Sequence, residues 1–283
     1  MISAVLKLKG TDQKGIVYKI TSLLYETGGN IIDAQQHKEQ LDQQFFMWVK
    51  FDCAEMNCTR TVFEEKLIDV ADELGMDFDI SYSDKPKRMA IMVSKYDHCL
   101  VDLLMRHKYG ELPCEIPLII SNHPDLEELA LHHRIPYFYI PVTKATKPEA
   151  ELKMLELLKS HQIDLVIMAR YMQILTPTLL NAFPSAIINV HHGFLPAFKG
   201  AKPYHQAYEK GVKIIGATSH YATADLDMGP IIEQETERID HSHSADDMVR
   251  IGRDIEKKVL ASAVKAHLED RVMLYKGRTI IFN

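Results

Sequence analysis

The sequence has few cysteines, no long apolar stretch and no strong excess of charge of one sign. Its 283 residues include four cysteines, Cys53, Cys58, Cys99 and Cys114, whose spacing fits no common zinc motif. Scattered cysteines in a chain of this size indicate reduced, mostly packing residues and a cytoplasmic protein. The opening MISAVLKLKG lacks the pattern of a signal peptide, and no run approaches the roughly 18–20 apolar residues that span a bilayer. We therefore expect no membrane association.

The charge balance is only mildly acidic, with 33 Lys+Arg against 39 Asp+Glu and a formal net charge of −6. Surfaces that follow nucleic-acid phosphates are normally basic, so we expect no nucleic-acid partner. The 46% hydrophobic and 25% charged residues exclude a disordered or collagen-like chain. At about 100–200 residues per domain, the length favours two domains.

The first 82 residues have the pattern of a small α/β domain. Apolar residues alternate in the strands and recur every three to four positions in the helices. This predicts strands at 2–9, 31–37, 45–51 and 76–82, and helices at 16–27 and 58–74. The order βαββαβ is that of the ferredoxin-like sandwich. Residues 83–88, which are polar and charged and include a proline, predict a linker.

From residue 89 to 283 the pattern changes to alternating strands and helices. The predicted strands are 89–93, 116–121, 137–140, 164–169 and 187–191, and the predicted helices are 99–109, 125–133, 147–161 and 245–268. Strands 89–93 and 164–169 are nearly continuous apolar runs, as in parallel strands that are buried on both faces. The pattern predicts a doubly wound, mostly parallel sheet of the α/β class. Functional loops in such sheets lie at the carboxyl ends of the strands.

Residues 189–232 hold three motifs: N-x-H-x-x-x-L-P-x-F-x-G from Asn189, G-x-T-x-H ending at His220, and D-x-G-x-I from Asp227. These motifs resemble those of the folate-dependent formyltransferases. The doubled His191-His192, the segment 201–208 and the N-terminal module are similar to those of the formyltetrahydrofolate deformylase family. The resemblance implies a hydrolase that converts 10-formyltetrahydrofolate and water to formate and tetrahydrofolate. It also implies a role in purine synthesis and one-carbon metabolism, and no cofactor.

By this resemblance, the catalytic residues are Asn189, His191 and Asp227. Formyl transfer passes through a tetrahedral intermediate with an oxyanion, to which the Asn189 amide can donate a hydrogen bond. His191 lies two residues further along an extended segment, on the same side, and can carry a proton near neutral pH. Asp227 can either deprotonate a water or stabilise a charged His191. Asp225 lies nearby, but the spacing to Gly229 and Ile231 selects Asp227.

Further residues are assigned by the same resemblance. His220 is expected to support catalysis by orienting Asp227 or its water, with a plain core histidine as the alternative. Folate binding is expected from the segment after the strand 164–169, through Arg170, Met172, Gln173, Ile174 and Leu175. Met172 and Leu175 could instead be ordinary core residues. Gly193 stands where deformylases usually have serine, which removes one possible hydrogen bond.

The loop 93–100 bears on which molecule accepts the formyl group. Glycinamide ribonucleotide formyltransferases bind a phosphate with a glycine-rich loop at this place. Here the loop has no glycine, and Asp97 would repel a phosphate. This favours water as the acceptor. The alternatives are a formyltransferase with an amine acceptor and an amino-acid-sensing protein with a silent catalytic domain.

The first 82 residues resemble an ACT domain, through the βαββαβ order, the turn from Asp12 to Gly15 and the segment 28–31. The resemblance implies a possible amino-acid effector at Asp12 and Gly15, and a homodimer or homotetramer. Alternatively, Asp12 caps the first helix and Gly15 allows close packing. The 14 histidines form no helical i,i+4 pair and no zinc cluster, so no metal is expected.

Overall fold

A computed structural model of the chain describes residues 2–197 and 203–283. The chain forms two compact units. The first contains the residues up to Pro86 together with Glu269–Met273 and Phe282–Asn283, and the second contains Lys87–Leu268 and Leu274–Ile281. The last residues therefore return to the first unit, which sequence periodicity did not indicate.

The first unit has a four-stranded antiparallel sheet with two helices. Its elements are β1 (Ser3–Thr11), α1 (Ile16–Glu26), β2 (Asn30–Glu39), β3 (Gln44–Asp52), α2 (Arg60–Leu74) and β4 (Met76–Tyr82). The strand order is β2-β3-β1-β4, and Leu6 of β1 faces Val49 on one side and Ile80 on the other. Alternate residues of β1 are buried because every second side chain points to the helices. Ile20 and Leu24 of α1 and residues of α2 complete this core.

The second unit is built on a seven-stranded sheet. Its elements are β5 (Lys87–Val93), α3 (His98–Lys108), β6 (Cys114–Ser121), α4 (Glu127–His132), β7 (Tyr137–Tyr139), α5 (Lys147–Ser160), β8 (Leu165–Met168), α6 (Pro177–Ala182), β9 (Ile187–His191), α7 (Pro203–Glu209), β10 (Ile214–Tyr221), β11 (Ile231–Arg238) and α8 (Ala245–Leu268). Two strands follow: β12 (Val272–Tyr275), whose first two residues belong to the first unit, and β13 (Arg278–Ile281). The last two strands form a separate two-stranded sheet.

The order of the large sheet is β11-β10-β9-β8-β5-β6-β7. Strands β5 to β9 pair in parallel, and β10 pairs antiparallel with both β9 and β11. The predicted parallel-rich α/β sheet is confirmed. Because β6 and β8 lie on opposite sides of β5, the chain reverses its direction of winding there. This switch point places the loops after β5 and β8 side by side at the carboxyl edge.

Both faces of the parallel strands are covered. Ala90 and Met92 of β5 join a core cluster with Met154 and Leu158 of α5. Ile91, which points to the other face, is also fully buried. At roughly 25 cal/mol per Å² of apolar surface, such burial is the main stabilisation of the unit.

Some boundaries differ from the sequence-based expectations. Strand β5 begins at Lys87, inside the predicted linker 83–88, because the chain pairs there with Cys114 of β6. The Lys87 ammonium also donates to the carbonyls of His267 and Leu268 at the end of α8. Helices α6 and α7 and strands β10 to β13 were not predicted. All four cysteines are free. Within the described parts of the chain, no helix combines the length and apolar character needed to cross a membrane.

Candidate active site

A cavity of about 300 Å³ lies at the carboxyl edge of the large sheet. It is bordered by the segment 170–175, the end of β9, His220 and Asp227. The structure therefore brings the predicted catalytic and supporting residues together with the predicted folate-binding segment. Its lining is mostly apolar with a few polar groups, as is typical of small-molecule sites.

His191 and Asp227 are in direct contact at the wall of the cavity. His191 is the last residue of β9, and its Nδ1 lies 3.2 Å from Oδ2 of Asp227. Both side chains are less than a tenth exposed. The hydrogen bond from His191 is the largest of the effects that hold the pKa of the Asp227 carboxyl well below its usual range. Asp227 is therefore a carboxylate at neutral pH.

The loop that carries Asp227 explains the D-x-G-x-I spacing. Asp227 has a φ of 56°, which aspartate tolerates better than most residues. At Gly229, a Cβ atom would lie 1.7 Å from the backbone oxygen of Tyr221, so only glycine fits. The glycine lets the loop fold back onto the end of β10 and turn Asp227 towards His191.

Asn189 and His220 are partners across two strands. Strand pairing places His220 of β10 directly opposite Asn189 of β9. Nδ1 of His220 donates to the Tyr221 carbonyl at 2.9 Å, so its Nε2 accepts from the Asn189 amide at 3.2 Å. The same Nε2 is 3.7 Å from Oδ1 of Asp227. His220 thus contacts both Asn189 and Asp227, and it orients the amide more directly than the carboxylate.

His192 lies beside the catalytic pair. Its ring centroid is 5.3 Å from that of His191 and 6.3 Å from that of Tyr204. Burial, and then the positive charge of Arg170, lower the pKa of His192 to about 4. The ring is therefore neutral at physiological pH and cannot supply a proton.

The segment 170–175 presents apolar side chains around the cavity. Met172 and Ile174 are each more than half exposed, whereas Leu175 is buried. The Met172 amide donates to the hydroxyl of Ser94 at 3.0 Å, which in turn donates to Oδ1 of Asn122 at 2.6 Å. Ser94 thus fixes the segment to the end of β5. Sequence reasoning missed Ser94 because a single serine after a strand carries no distinctive signal.

A second polar network holds the chain after His191. The Thr218 hydroxyl donates to the Gly193 carbonyl and accepts from the Leu195 amide, both at 3.0 Å. Gln234 of β11 donates to the carbonyl of Leu195 at 2.9 Å. Sequence reasoning missed Gln234. The final residues of the first motif, 198–200, lie outside the described residues.

One group of side chains offers metal-ligand atoms. The donor atoms of His98, Cys99 and Glu256 lie within 4.8 Å of one another. The group suits a cation poorly, because the Arg170 guanidinium lies 3.4 Å from the Glu256 carboxylate. Burial also raises the pKa of the Cys99 thiol well above its usual value, which disfavours the thiolate that binds metals.

In the first unit, Asp12 and Gly15 do not have the capping and packing roles given as the alternative to effector binding. Gly15 is the residue before α1 and has a φ of 95°, a conformation that favours glycine. A Cβ atom there would contact nothing within 4 Å, so close packing does not explain the glycine. Asp12 does not cap the helix. Its carboxylate instead pairs with the Lys38 ammonium of β2 at 2.5 Å.

The chain is similar to known proteins along its whole length. Residues 87–264 match the family model described as "Formyl transferase". The chain is 48% identical over 281 residues to a formyltetrahydrofolate deformylase from Synechocystis sp., with 99% of each chain covered. It is 47% identical to one from Bacillus subtilis, covering 96% of this chain and 91% of the relative. The crystal structure of a formyltetrahydrofolate deformylase from Pseudomonas syringae pv. tomato matches with a TM-score of 0.97 at 44% identity, covering 100% of this chain and 95% of that one.

Proposed function

The chain belongs to the formyltetrahydrofolate deformylase family, and we propose that it hydrolyses 10-formyltetrahydrofolate to formate and tetrahydrofolate. It would then be a hydrolase of an amide-type C–N bond in one-carbon metabolism. The observation that carries the proposal is the contact of Asn189, His191, His220 and Asp227 at the wall of one largely apolar cavity.

The substrate ring would bind against the segment 170–175. Met172 and Ile174 expose apolar surface beside the cavity, and Leu226 does so from the loop that carries Asp227. Apolar side chains of this kind suit the faces of a flat pterin ring, and placed polar groups suit its edge. This binding mode puts the formyl carbon near Asn189 and His191.

His191 would be the proton carrier of the reaction. The pKa of Asp227 is lowered, so its carboxylate is a weak base. This favours a role in which Asp227 stabilises a protonated His191 over one in which it deprotonates water. Water attacks the formyl carbon, and the Asn189 amide and the His191 imidazolium stabilise the resulting oxyanion. His191 then protonates N10 as the C–N bond breaks. The proton from the attacking water restores the imidazolium, and formic acid ionises to formate in solvent.

Water is the favoured acceptor in this proposal. Helix α3 begins directly after Asp97, so a carboxylate occupies the place where an acceptor phosphate would need a cation or free amides. An amine acceptor and a silent binding protein are both less well supported, since the whole chain matches deformylases and the catalytic groups are in contact. The reaction needs no cofactor or metal.

The test is acceptor-free turnover by the purified protein. With 10-formyltetrahydrofolate alone, we expect formate and tetrahydrofolate in equal amounts. Formate release that requires an added amine would instead support a formyltransferase. Amino-acid binding by calorimetry without any turnover would support a binding protein.

We also propose that the first unit is an ACT domain of the ferredoxin-like type that mediates association and responds to an amino acid. Support comes from its β2-β3-β1-β4 order and from the glycine turn before α1. Strand β2 is an exposed edge with Ile31 and Ile32 at the surface, which suits pairing with a second copy in a homodimer or homotetramer. Light scattering, and formate release with and without each amino acid, test these proposals. The free cysteines support a cytoplasmic location.

A further inference from the structure

Glu256 is a buried carboxylate that the proposed hydrolysis does not use. It lies on α8 and is 1% exposed. His98 Nε2 is 2.8 Å from its Oε2, the Tyr204 hydroxyl donates to its Oε1 at 3.1 Å, and Arg170 Nε lies 3.4 Å from Oε2. Burial raises the pKa of Glu256, but the hydrogen bond from His98 and the charge of Arg170 outweigh it and leave the pKa below its ordinary value. An ionised carboxylate so deeply buried needs these partners.

Helix α8 is shaped to admit one of the partners. Gly252 lies one turn before Glu256 on the same helix face. A Cβ atom at Gly252 would lie 2.1 Å from the Tyr204 ring, so the missing side chain makes room for that ring. The Tyr204 hydroxyl can then reach Glu256. The glycine and the buried carboxylate on α8 therefore act together: Gly252 makes room for Tyr204, and Tyr204 hydrogen-bonds Glu256.

Arg170 is the partner that connects this cluster to the cavity. It has a φ of 62°, a strained conformation for a residue other than glycine, and such residues persist where their surroundings hold them. Its guanidinium lies over the Tyr96 ring, 5.2 Å from the centroid. Its Nε and Nη1 are buried and make no hydrogen bond with any residue of 2–197 or 203–283. The Glu256 carboxylate lies at ion-pair distance from the Arg170 guanidinium and neutralises its charge.

We propose that Glu256 is a positioning residue that acts through Arg170 on the segment 170–175. The carboxylate holds the guanidinium, and the guanidinium holds the backbone at the start of the segment in its left-handed conformation. The apolar side chains of Met172 and Ile174 thereby keep the positions in which they meet the substrate ring. The inference rests on the proposed function, because that function gives the segment its folate-binding role.

The test is Glu256→Gln, which keeps the size of the side chain, removes its charge and replaces one of its two acceptor oxygens with an N–H2 donor. We expect KM for 10-formyltetrahydrofolate to rise by about 10- to 100-fold, as for other small displacements of substrate-positioning groups. We expect kcat to change by less than about threefold, since the catalytic residues lie on other elements. The affinity for tetrahydrofolate, measured by calorimetry, should fall by the same factor as KM rises. Asp254→Asn, an exposed carboxylate on the same helix, should change neither value.

A double-mutant cycle separates positioning from a general structural role. In an Arg170→Gly background, adding Glu256→Gln should raise KM by less than about twofold, because the guanidinium that Glu256 holds is gone. An equal rise in both backgrounds would overturn the proposal, as would an unchanged KM in folded Glu256→Gln. If Glu256→Gln does not fold, Arg170→Lys keeps the charge but loses the planar fork, and an unchanged KM there would also overturn it. Wild-type protein that binds tetrahydrofolate but releases no formate would refute the proposed hydrolysis, while the affinity ratio of the variants would still decide the positioning role.

Discussion

The substitution Asp227→Asn removes one charge from the cavity and little else. Asparagine has nearly the same shape as aspartate and accepts the left-handed backbone conformation at this position, where φ is 56°. The amide can still take a hydrogen bond from the ring of His191. What is lost is the negative charge 3.2 Å from Nδ1 of His191 and 3.7 Å from Nε2 of His220.

The size of the effect follows from these distances. Two unit charges 3.2 Å apart, as for His191 and Asp227, interact by about 5 kcal/mol at an effective dielectric constant of about 20. That value is a ceiling, because the charged His191 also interacts with its surroundings in the variant. Loss of a positioned proton carrier commonly costs about 10²- to 10⁴-fold, or about 3–5 kcal/mol in the activation barrier. We therefore expect kcat to fall by about 10²- to 10⁴-fold. We expect KM to change by less than about threefold, since the segment 170–175 is untouched.

Formate release under steady-state conditions measures both constants. Asp225→Asn is the matched control, because Asp225 is an exposed aspartate two residues earlier in the same loop. The control should retain kcat within about twofold. If Asp227→Asn kept the wild-type kcat, or if Asp225→Asn lost as much activity, the assigned role of Asp227 would be wrong.

Three further predictions concern other parts of the molecule. Because the pKa of His192 is lowered to about 4, His192→Gln should leave the pH dependence of kcat between pH 5 and 8 unchanged; a lost or shifted limb would contradict its neutral state. Gly229→Ala would put a Cβ atom 1.7 Å from the backbone oxygen of Tyr221. We expect the unfolding free energy to fall by about 1–3 kcal/mol and most formate release to be lost. A wild-type melting temperature with wild-type turnover would refute the steric account. Asp270→Asn removes a carboxylate 3.3 Å from the half-buried Lys7 ammonium and should destabilise the first unit by about 1–3 kcal/mol in urea unfolding. The control Asp77→Asn, at an exposed position, should cost under about 0.5 kcal/mol. Burial lowers the pKa of Lys7, but Asp270 and Asp79 outweigh it and raise the pKa, so this stabilisation should persist at neutral pH and disappear only as the pH rises through that raised value.

Much of the secondary structure could be predicted because burial patterns reflect local geometry. The alternation in β1 and the apolar run in β5 are direct consequences of having one or two buried faces. Lys87 was placed in a linker because its charge looks like a solvated loop, although its ammonium binds the carbonyls at the end of α8. Strand β10 was missed because its partners, β9 and β11, are set by long-range pairing rather than by its own sequence.

The candidate site could be predicted where the interval between two residues in the sequence fixes their relative position. It could not be predicted where residues from distant elements come into contact. Asn189 and His191 share one side of a strand, so their cooperation follows from a two-residue interval. Ser94 and Glu256 meet the site only through tertiary packing, and neither lies within a motif. The one local signal for Glu256 is its charge on the apolar stripe of α8.

The central claim is that water attacks the formyl group of 10-formyltetrahydrofolate at Asn189, His191 and Asp227. The most direct measurement is turnover in ¹⁸O-labelled water, without any amine, followed by mass analysis of the formate at early times. We expect one labelled oxygen atom in each formate, equal amounts of tetrahydrofolate, and loss of both products in Asp227→Asn. Formate without the label, or turnover only when an amine is added, would contradict the claim.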